Sequence, residues 1–303
     1  MGFLYFLEKL RMPGLNEFFL AVTKLGEETA FLVIALIVFW CVDKRRGYFV
    51  MAVGFFGTLV SQCMKIVCRV PRPWVQDPNF TILEQAREAA AGYSFPSGHT
   101  QTAVGTLGAI AATEKRRWLS ITCIVLAVFV GLSRMYIGVH TPQDVIVGGL
   151  LSVVFILVLY PFMIRNDGKG TSAVITVLTL ASVAYMIFME CYPFPADTDT
   201  HNLESAMKNA YTLIGCMGGL LIVYPVERKF ISFSTEAVWW AQILKIVGGL
   251  AVVLLVKEGL RSPLEAIFAG HLAARAVRYA LIVLTAGLLW PLSFRFFAKL
   301  GKK

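Results

Sequence analysis

The sequence predicts an all-α protein: a polytopic integral membrane helical bundle of about nine transmembrane helices, a five-helix core followed by a four-helix C-terminal extension. Three observations predict it. Hydrophobic residues make up 57% of the chain and charged residues only 16%, with a mean hydropathy of +0.69, which is the composition of a membrane protein. Apolar runs such as Thr29 to Val42 and Gly47 to Val67 approach the ~20 residues that span a hydrocarbon core of about 30 Å. The basic residues gather in alternate loops between such runs.

Apolar windows place the spans near 27–42, 47–67, 98–113, 118–136, 142–163, 171–190, 209–225, 237–256 and 277–294. Before residue 26, Glu8, Lys9 and Arg11 stand among aromatics, so this segment reads as amphipathic helices on the membrane surface and not as a secretory signal. The polar break Arg165-Asn-Asp-Gly-Lys-Gly170 divides a core, residues 1–165, that holds every polar motif from an extension, residues 166–303, that is nearly free of them. Glycine pairs recur at Gly148 and Gly149, Gly218 and Gly219, and Gly248 and Gly249, where small residues let helices approach closely.

Loop charges predict the orientation. Lys44-Arg45-Arg46, Lys115-Arg116-Arg117, Arg165 with Lys169, Arg228 with Lys229, and the tail residues Arg295, Lys299, Lys302 and Lys303 share one face, which the positive-inside rule makes cytoplasmic. The N-terminus, the loop 68–96, the turn 137–141 and the acidic loop with Asp197, Asp199 and Glu204 then lie outside. This orientation uses the formal charge of +9, and no basic run on a soluble domain points to nucleic acid. The six cysteines show no short paired spacing, which argues against both a disulfide framework and a metal site.

Three polar clusters interrupt the apolar chain, and in this topology all three emerge on the outer face. The first is Lys65-Ile-Val-Cys-Arg-Val-Pro-Arg-Pro73. Basic residues at a helix end ordinarily snorkel to headgroups, but prolines 71 and 73 also fix where Arg72 points. The second is Gly92-Tyr-Ser-Phe-Pro-Ser-Gly-His-Thr-Gln101. Ser97 caps the following helix, the helix start offers N–H groups that suit an anion, and Gly98 lets a ligand approach the backbone. A cap alone leaves His99 unexplained. The third is Ser133-Arg134-Met-Tyr-Ile-Gly-Val-His140-Thr-Pro-Gln-Asp144. Thr141, Pro142 and Asp144 make an ordinary helix start, and the Asp144 carboxylate is also close enough to fold back onto His140, fixing its tautomer and leaving the other nitrogen to attack.

Together the clusters supply three fixed cations (Lys65, Arg72 and Arg134), two histidines, one carboxylate and a helix N-terminus. Phosphoryl transfer asks for this set: positive groups and N–H donors around three equatorial oxygens, a nucleophile on one side and a proton donor opposite. No acidic cluster resembling a magnesium site accompanies them, so the expected chemistry runs through a phosphohistidine without metal or other cofactor.

At these residues the chain resembles the type 2 phosphatidic acid phosphatase superfamily, which also contains vanadium haloperoxidases and glucose-6-phosphatase. Lys65 with Arg72 and Pro73, then Pro96, Ser97, Gly98 and His99, then Ser133, Arg134, His140 and Asp144 match its three motifs in order and in spacing. The resemblance covers roughly residues 20–163. It implies that His140 is the nucleophile, Asp144 its orienting partner and His99 the acid for the leaving alkoxide. Lys65, Arg72, Arg134, Ser97 and the Gly98 amide would hold the phosphate. The nine-helix plan is similar to that of glucose-6-phosphatase.

A site at the outer headgroup level favours a lipid phosphate as substrate, monoester or diphosphate, in a plasma or inner membrane with the C-terminus cytoplasmic. Gly98 stands where some polyprenyl-diphosphate enzymes carry Asp. The alternatives are a phosphatase of a soluble phosphomonoester, a lipid phosphotransferase and a non-enzymatic anion-binding membrane protein. His201 and His271, without motifs around them, are expected at the surface.

Overall fold

The computed structural model describes residues 1–87, 90, 92–196 and 198–300, so Asp197, Lys302 and Lys303 of the loop-charge argument lie outside the described residues. The described residues form helices and turns, with no strand among them. In chain order the helices are α1 (Gly2–Lys9), α2 (Pro13–Thr23), α3 (Glu28–Ile37), α4 (Lys44–Cys68), α5 (Pro73–Gln76), α6 (Gly98–Thr113) and α7 (Arg117–Ile137). They continue with α8 (Pro142–Tyr160), α9 (Thr171–Cys191), α10 (Thr200–Val226), α11 (Trp239–Gly259), α12 (Arg261–Ile267), α13 (Ala273–Leu284) and α14 (Phe294–Phe297).

Among the described residues, 7 helical stretches are long and apolar enough to cross a membrane, or 8 if a bent pair counts as one span. The sequence expectation of about nine is therefore an approximation, and two elements explain the difference. The expected span 98–113 is α6, whose 16 residues extend only ~24 Å at 1.5 Å per residue, short of the hydrocarbon core. The expected span 27–42 is the second arm of a pair, Pro13–Gly26 with Glu28–Val42, bent by 58°. No disulfide joins the six cysteines; Cys123 and Cys216 are buried and Cys68 and Cys191 exposed.

The chain divides into two compact units. The first comprises residues 1–32, 50–161 and 194–206 and contains all three polar motifs. Within it α6 packs against both α7 and α8, and α2 packs against α7. The α2–α7 contact is aromatic: Phe18 meets Phe129 edge to face with ring centres 6.0 Å apart, and Phe19 lies 4.3 Å from Tyr136. The Tyr136 hydroxyl donates to Asn16 Oδ1 at 2.8 Å, so its polar tip has a partner within the fold.

Glycine brings α8 onto the start of α6. A Cβ on Gly148 would stand 2.6 Å from the Ser97 carbonyl oxygen, whereas one on Gly149 would come no nearer than 3.8 Å to any atom. Ser152, one turn further along α8, donates to the Gln101 carbonyl at 2.6 Å. The packing of α8 thus sets the position of the α6 N-terminus.

The second unit comprises residues 33–49, 162–193 and Met207 onward. Its glycines serve the same end, since side chains at Gly219 and Gly249 would collide with Val283 and with Trp40 and Trp290 respectively. Two of its buried charges have partners nearby. Glu227, 1% exposed, pairs with Lys44 at 2.7 Å, and the Lys245 ammonium lies 4.2 Å from the centre of the Phe294 ring.

Substituting Gly148→Ala is expected to displace α8 from Ser97, costing about 1–3 kcal/mol of stability and most of the activity, while Gly149→Ala leaves both near wild type. Thermal unfolding of the purified variants, read beside phosphate release, checks this.

Candidate active site

Each polar motif is carried into place by a turn whose geometry its own residues dictate. Helix α4 ends at Cys68 shortly after Lys65, and the chain passes through Pro71 to Arg72, which caps α5 from an extended conformation. Helix α7 closes on Gly138 at φ +94°, a left-handed turn that glycine adopts without strain. The amides of Gly138 and Val139 return to the carbonyls of Met135 and Arg134, and this turn places His140 between α7 and α8. Thr141 then starts α8 with a reciprocal cap: Asp144 N donates to Thr141 Oγ1 at 3.3 Å and Thr141 N to Asp144 Oδ2 at 2.8 Å. Ser97 starts α6, accepting from Thr100 N at 3.4 Å and from the Thr100 hydroxyl at 2.9 Å.

Hydrogen bonds between backbones stitch the three motifs together. Ser94 N donates to Val70 O at 2.8 Å, joining the first to the second, and Ser97 N donates to Asp144 O at 2.9 Å, joining the second to the third. Arg72 spans all three. Its Nε donates to Gly92 O at 2.9 Å, and its Nη1 lies 2.9 Å from both Val139 O and His140 Nε2.

The cations are buried and held mainly by uncharged acceptors. Lys65, 9% exposed, donates to Tyr93 O at 2.5 Å. Arg134, 1% exposed, donates through Nη1 to the Thr23 hydroxyl at 2.6 Å, while its Nε and Nη2 have no partner among the described residues. His99 Nε2 likewise has none. Neutral acceptors fix the position of a cation without cancelling its charge. Buried donors of this kind fit an anion that brings several oxygens at once.

The protonation pattern of His140 follows from its neighbours. A guanidinium can only donate, so the nitrogen facing Arg72 accepts, and the proton of the neutral ring sits on Nδ1. That nitrogen is 3.3 Å from Asp144 Oδ2 and 3.4 Å from the Ser94 hydroxyl, which itself donates to Asp144 Oδ2 at 2.5 Å. Burial, and then the positive charges of Arg72, Arg134 and Lys65 with His99 beyond them, push His140 well below the ordinary histidine pKa. The imidazole is therefore neutral, with its Nε2 lone pair turned toward the cations.

The structure brings Lys65, Arg72, Ser97, His99, Arg134, His140 and Asp144 into one unit, linked as described. Gly98 opens α6, and a Cβ built there would meet nothing within 4 Å, so the packing of the protein itself does not call for glycine. Two residues at the site are not motif residues, Thr23 against Arg134 and Ser94 between His140 and Asp144. Thr23 lies 111 residues from its partner and leaves no local signature. Ser94 lies within the second polar stretch, three residues before the helix cap, where a serine is ordinary loop composition. His201 and His271 are exposed and stand apart from any motif.

Ser94→Ala removes the hydroxyl donor from Asp144 Oδ2. A hydrogen bond to a charged group contributes about 1.5–3 kcal/mol. The expected result is a fall in kcat of roughly 10-fold or more with KM little changed, measured by steady-state phosphate release.

Residues 47–167 match the PAP2 superfamily, and residues 211–303 match the transmembrane extension of PAP2 superfamily phosphatases. The chain is 25% identical over 255 residues to sphingosine-1-phosphate phosphatase 2 of Mus musculus, covering 77% of this chain and 69% of that protein. It is 28% identical over 168 residues to phosphatidylglycerophosphatase B of Bacillus subtilis, covering 50% and 77% respectively. It is 30% identical over 143 residues to an undecaprenyl-diphosphatase of Sulfolobus acidocaldarius, covering 46% and 67%. Across the sphingosine-type phosphatases it matches, the chain spans 57% to 69% of their lengths. No solved structure matches it. The three motifs, the helical membrane fold and the matched extension agree: the chain belongs to the PAP2 superfamily and is an integral membrane phosphatase.

Proposed function

We propose that the protein hydrolyses a lipid phosphate, monoester or diphosphate, through a phosphohistidine formed on His140. The observation that carries this reading is the Arg72–His140 contact of 2.9 Å with Asp144 on the opposite side of the ring, which leaves Nε2 unprotonated among three cations. In the first step Nε2 forms a bond to phosphorus as the bond from phosphorus to the lipid oxygen breaks. The leaving oxygen takes a proton from His99. Arg134, through its two unpartnered nitrogens, Lys65, Arg72 and the Gly98 amide hold the equatorial oxygens, and Arg72 turns from Nε2 to the phosphate as it arrives. The negative charge of that phosphate favours the protonated form of His99, as its acid role requires. In the second step water gives a proton to His99 as it attacks phosphorus, the P–N bond breaks, and His99 and His140 are both restored as phosphate leaves. In this scheme the three cations supply the charge that a metal ion supplies in other phosphatases.

The lipid reading rests on the site's setting among membrane-spanning helices and on relatives whose names specify lipid phosphates. The basic groups Lys44 to Arg46, Lys115 to Arg117 and Arg165 fall at the helix ends remote in sequence from the motifs. The positive-inside rule assigns that face to the cytoplasm and the catalytic turns to the outer face of a plasma or inner membrane.

His140→Ala is expected to abolish phosphate release by the detergent-purified protein while leaving its thermal unfolding near wild type. Wild-type activity in this variant would sink the phosphohistidine route. Turnover of long-chain monophosphates, long-chain diphosphates and soluble esters by one preparation tests the lipid reading, which a strong preference for the soluble ester would contradict. Because the depressed pKa of His140 keeps the nucleophile neutral as pH falls, the acid limb of kcat/KM is expected below the ordinary histidine value of ~6.5.

A further inference from the structure

Residues 194–206 lie in the sequence of the C-terminal extension but belong to the catalytic unit. There the first turn of α10 meets the loop that holds the catalytic cations. Asn202 is anchored by its amide, which donates to Asp199 Oδ1 at 2.9 Å. Its side-chain oxygen lies beside Gly92, where a Cβ would come within 3.4 Å of it. Gly92 and the next residue, Tyr93, are the residues whose carbonyls accept from Arg72 and Lys65.

Between these elements is a cavity of about 40 Å³ lined by Gln62, Lys65, Ile66, Tyr93, Asn202 and Ser205, among others. Asn202 Oδ1 is buried and accepts no hydrogen bond from any described residue. A buried amide carbonyl left in that state costs about 1–3 kcal/mol, so the position calls for a donor. The cavity exceeds the ~10–15 Å³ that a water centre needs but is far below the ~300 Å³ of a whole ligand pocket. It has room for one small polar group. Among the described residues that line it, Lys65 is the one charged residue, and its charge disfavours an ammonium inside the cavity and favours a neutral hydroxyl there.

We infer that Asn202 is a specificity residue that accepts a hydrogen bond from a hydroxyl carried by the substrate close to its phosphate. This rests on the lipid-phosphatase reading and narrows it. Sphingoid phosphates and lipids with a phosphorylated glycerol headgroup carry such a hydroxyl. Phosphatidate and polyprenyl phosphates do not. A site built to bond a hydroxyl discriminates strongly against analogues that lack it, because its own polar group is then left unpaired.

The test compares kcat/KM for sphingosine phosphate with that for its 3-deoxy analogue and for phosphatidate. The full-length wild type, Asn202→Ala and Asn202→Asp are assayed beside His140→Ala. Wild type is expected to prefer the hydroxylated substrate by about 10-fold or more. Asn202→Ala should bring that ratio close to one, and Asn202→Asp, which keeps an acceptor, should retain it. A purely structural role for Asn202 would lower all substrates alike. Equal ratios in wild type and Asn202→Ala, or no preference in wild type, would overturn the inference and leave the cavity a water site. If His140→Ala is inactive in that case, the phosphohistidine reading survives and only the role of Asn202 falls. If His140→Ala is active, the failure lies with that reading instead.

Discussion

Three buried cations set the terms for the rest of the unit that holds the polar motifs. Taking a single charge out of water costs several kcal/mol even after the surroundings relax. Lys65, Arg72 and Arg134 are each less than a tenth exposed; the Asp144 carboxylate faces Lys65 and Arg72, and the Glu27 carboxylate lies toward Arg134. The fold meets this cost with dipoles. The carbonyls of Gly92, Tyr93 and Val139 and the hydroxyl of Thr23 accept from the three cations. These acceptors orient the side chains and leave their positive charge uncompensated. The excess of positive charge suits a phosphate dianion, and the unpartnered nitrogens of Arg134 offer donors to it.

Much of the architecture serves to bring those dipoles together. The bend after α2 sets Thr23 against Arg134 and, three residues later, Gly26 so close to His99 that a Cβ there would be 2.7 Å from the His99 carbonyl oxygen. The left-handed turn at Gly138 exposes the Val139 carbonyl to Arg72 and delivers His140 to the same guanidinium. The reciprocal cap at Thr141 makes the Asp144 carboxylate part of the α8 start before it acts on His140. A change in the turn at Gly138 or in the cap at Thr141 reaches His140 through one or two hydrogen bonds.

The motif residues were legible in the sequence because chemistry restricts their types and helix starts restrict their spacing. Ser97, Thr141, Pro142 and Asp144 follow capping rules that act over three residues. The acceptors that hold the cations were not legible. A backbone carbonyl is common to every residue, and Thr23 and Asn202 reach the site only through long-range packing. The span count is approximate for a related reason. Hydropathy registers that α6 is apolar but not that its 16 residues fall short of a full crossing, nor that the chain bends by 58° between α2 and α3. The role of residues 194–206 was equally hidden, since their composition matches any polar loop and only folding carries them beside Lys65.

The central claim is that the phosphoryl group passes through His140 Nε2. Rapid quenching of a single turnover with a substrate labelled in its phosphate, followed by peptide mapping under alkaline conditions that preserve phosphohistidine, tests it directly. The account predicts transient label on the peptide carrying His140, stable to base, lost in acid, and absent from the Ser97–His99 peptide. Turnover at the full rate without label on the protein, or with label on His99, would contradict it.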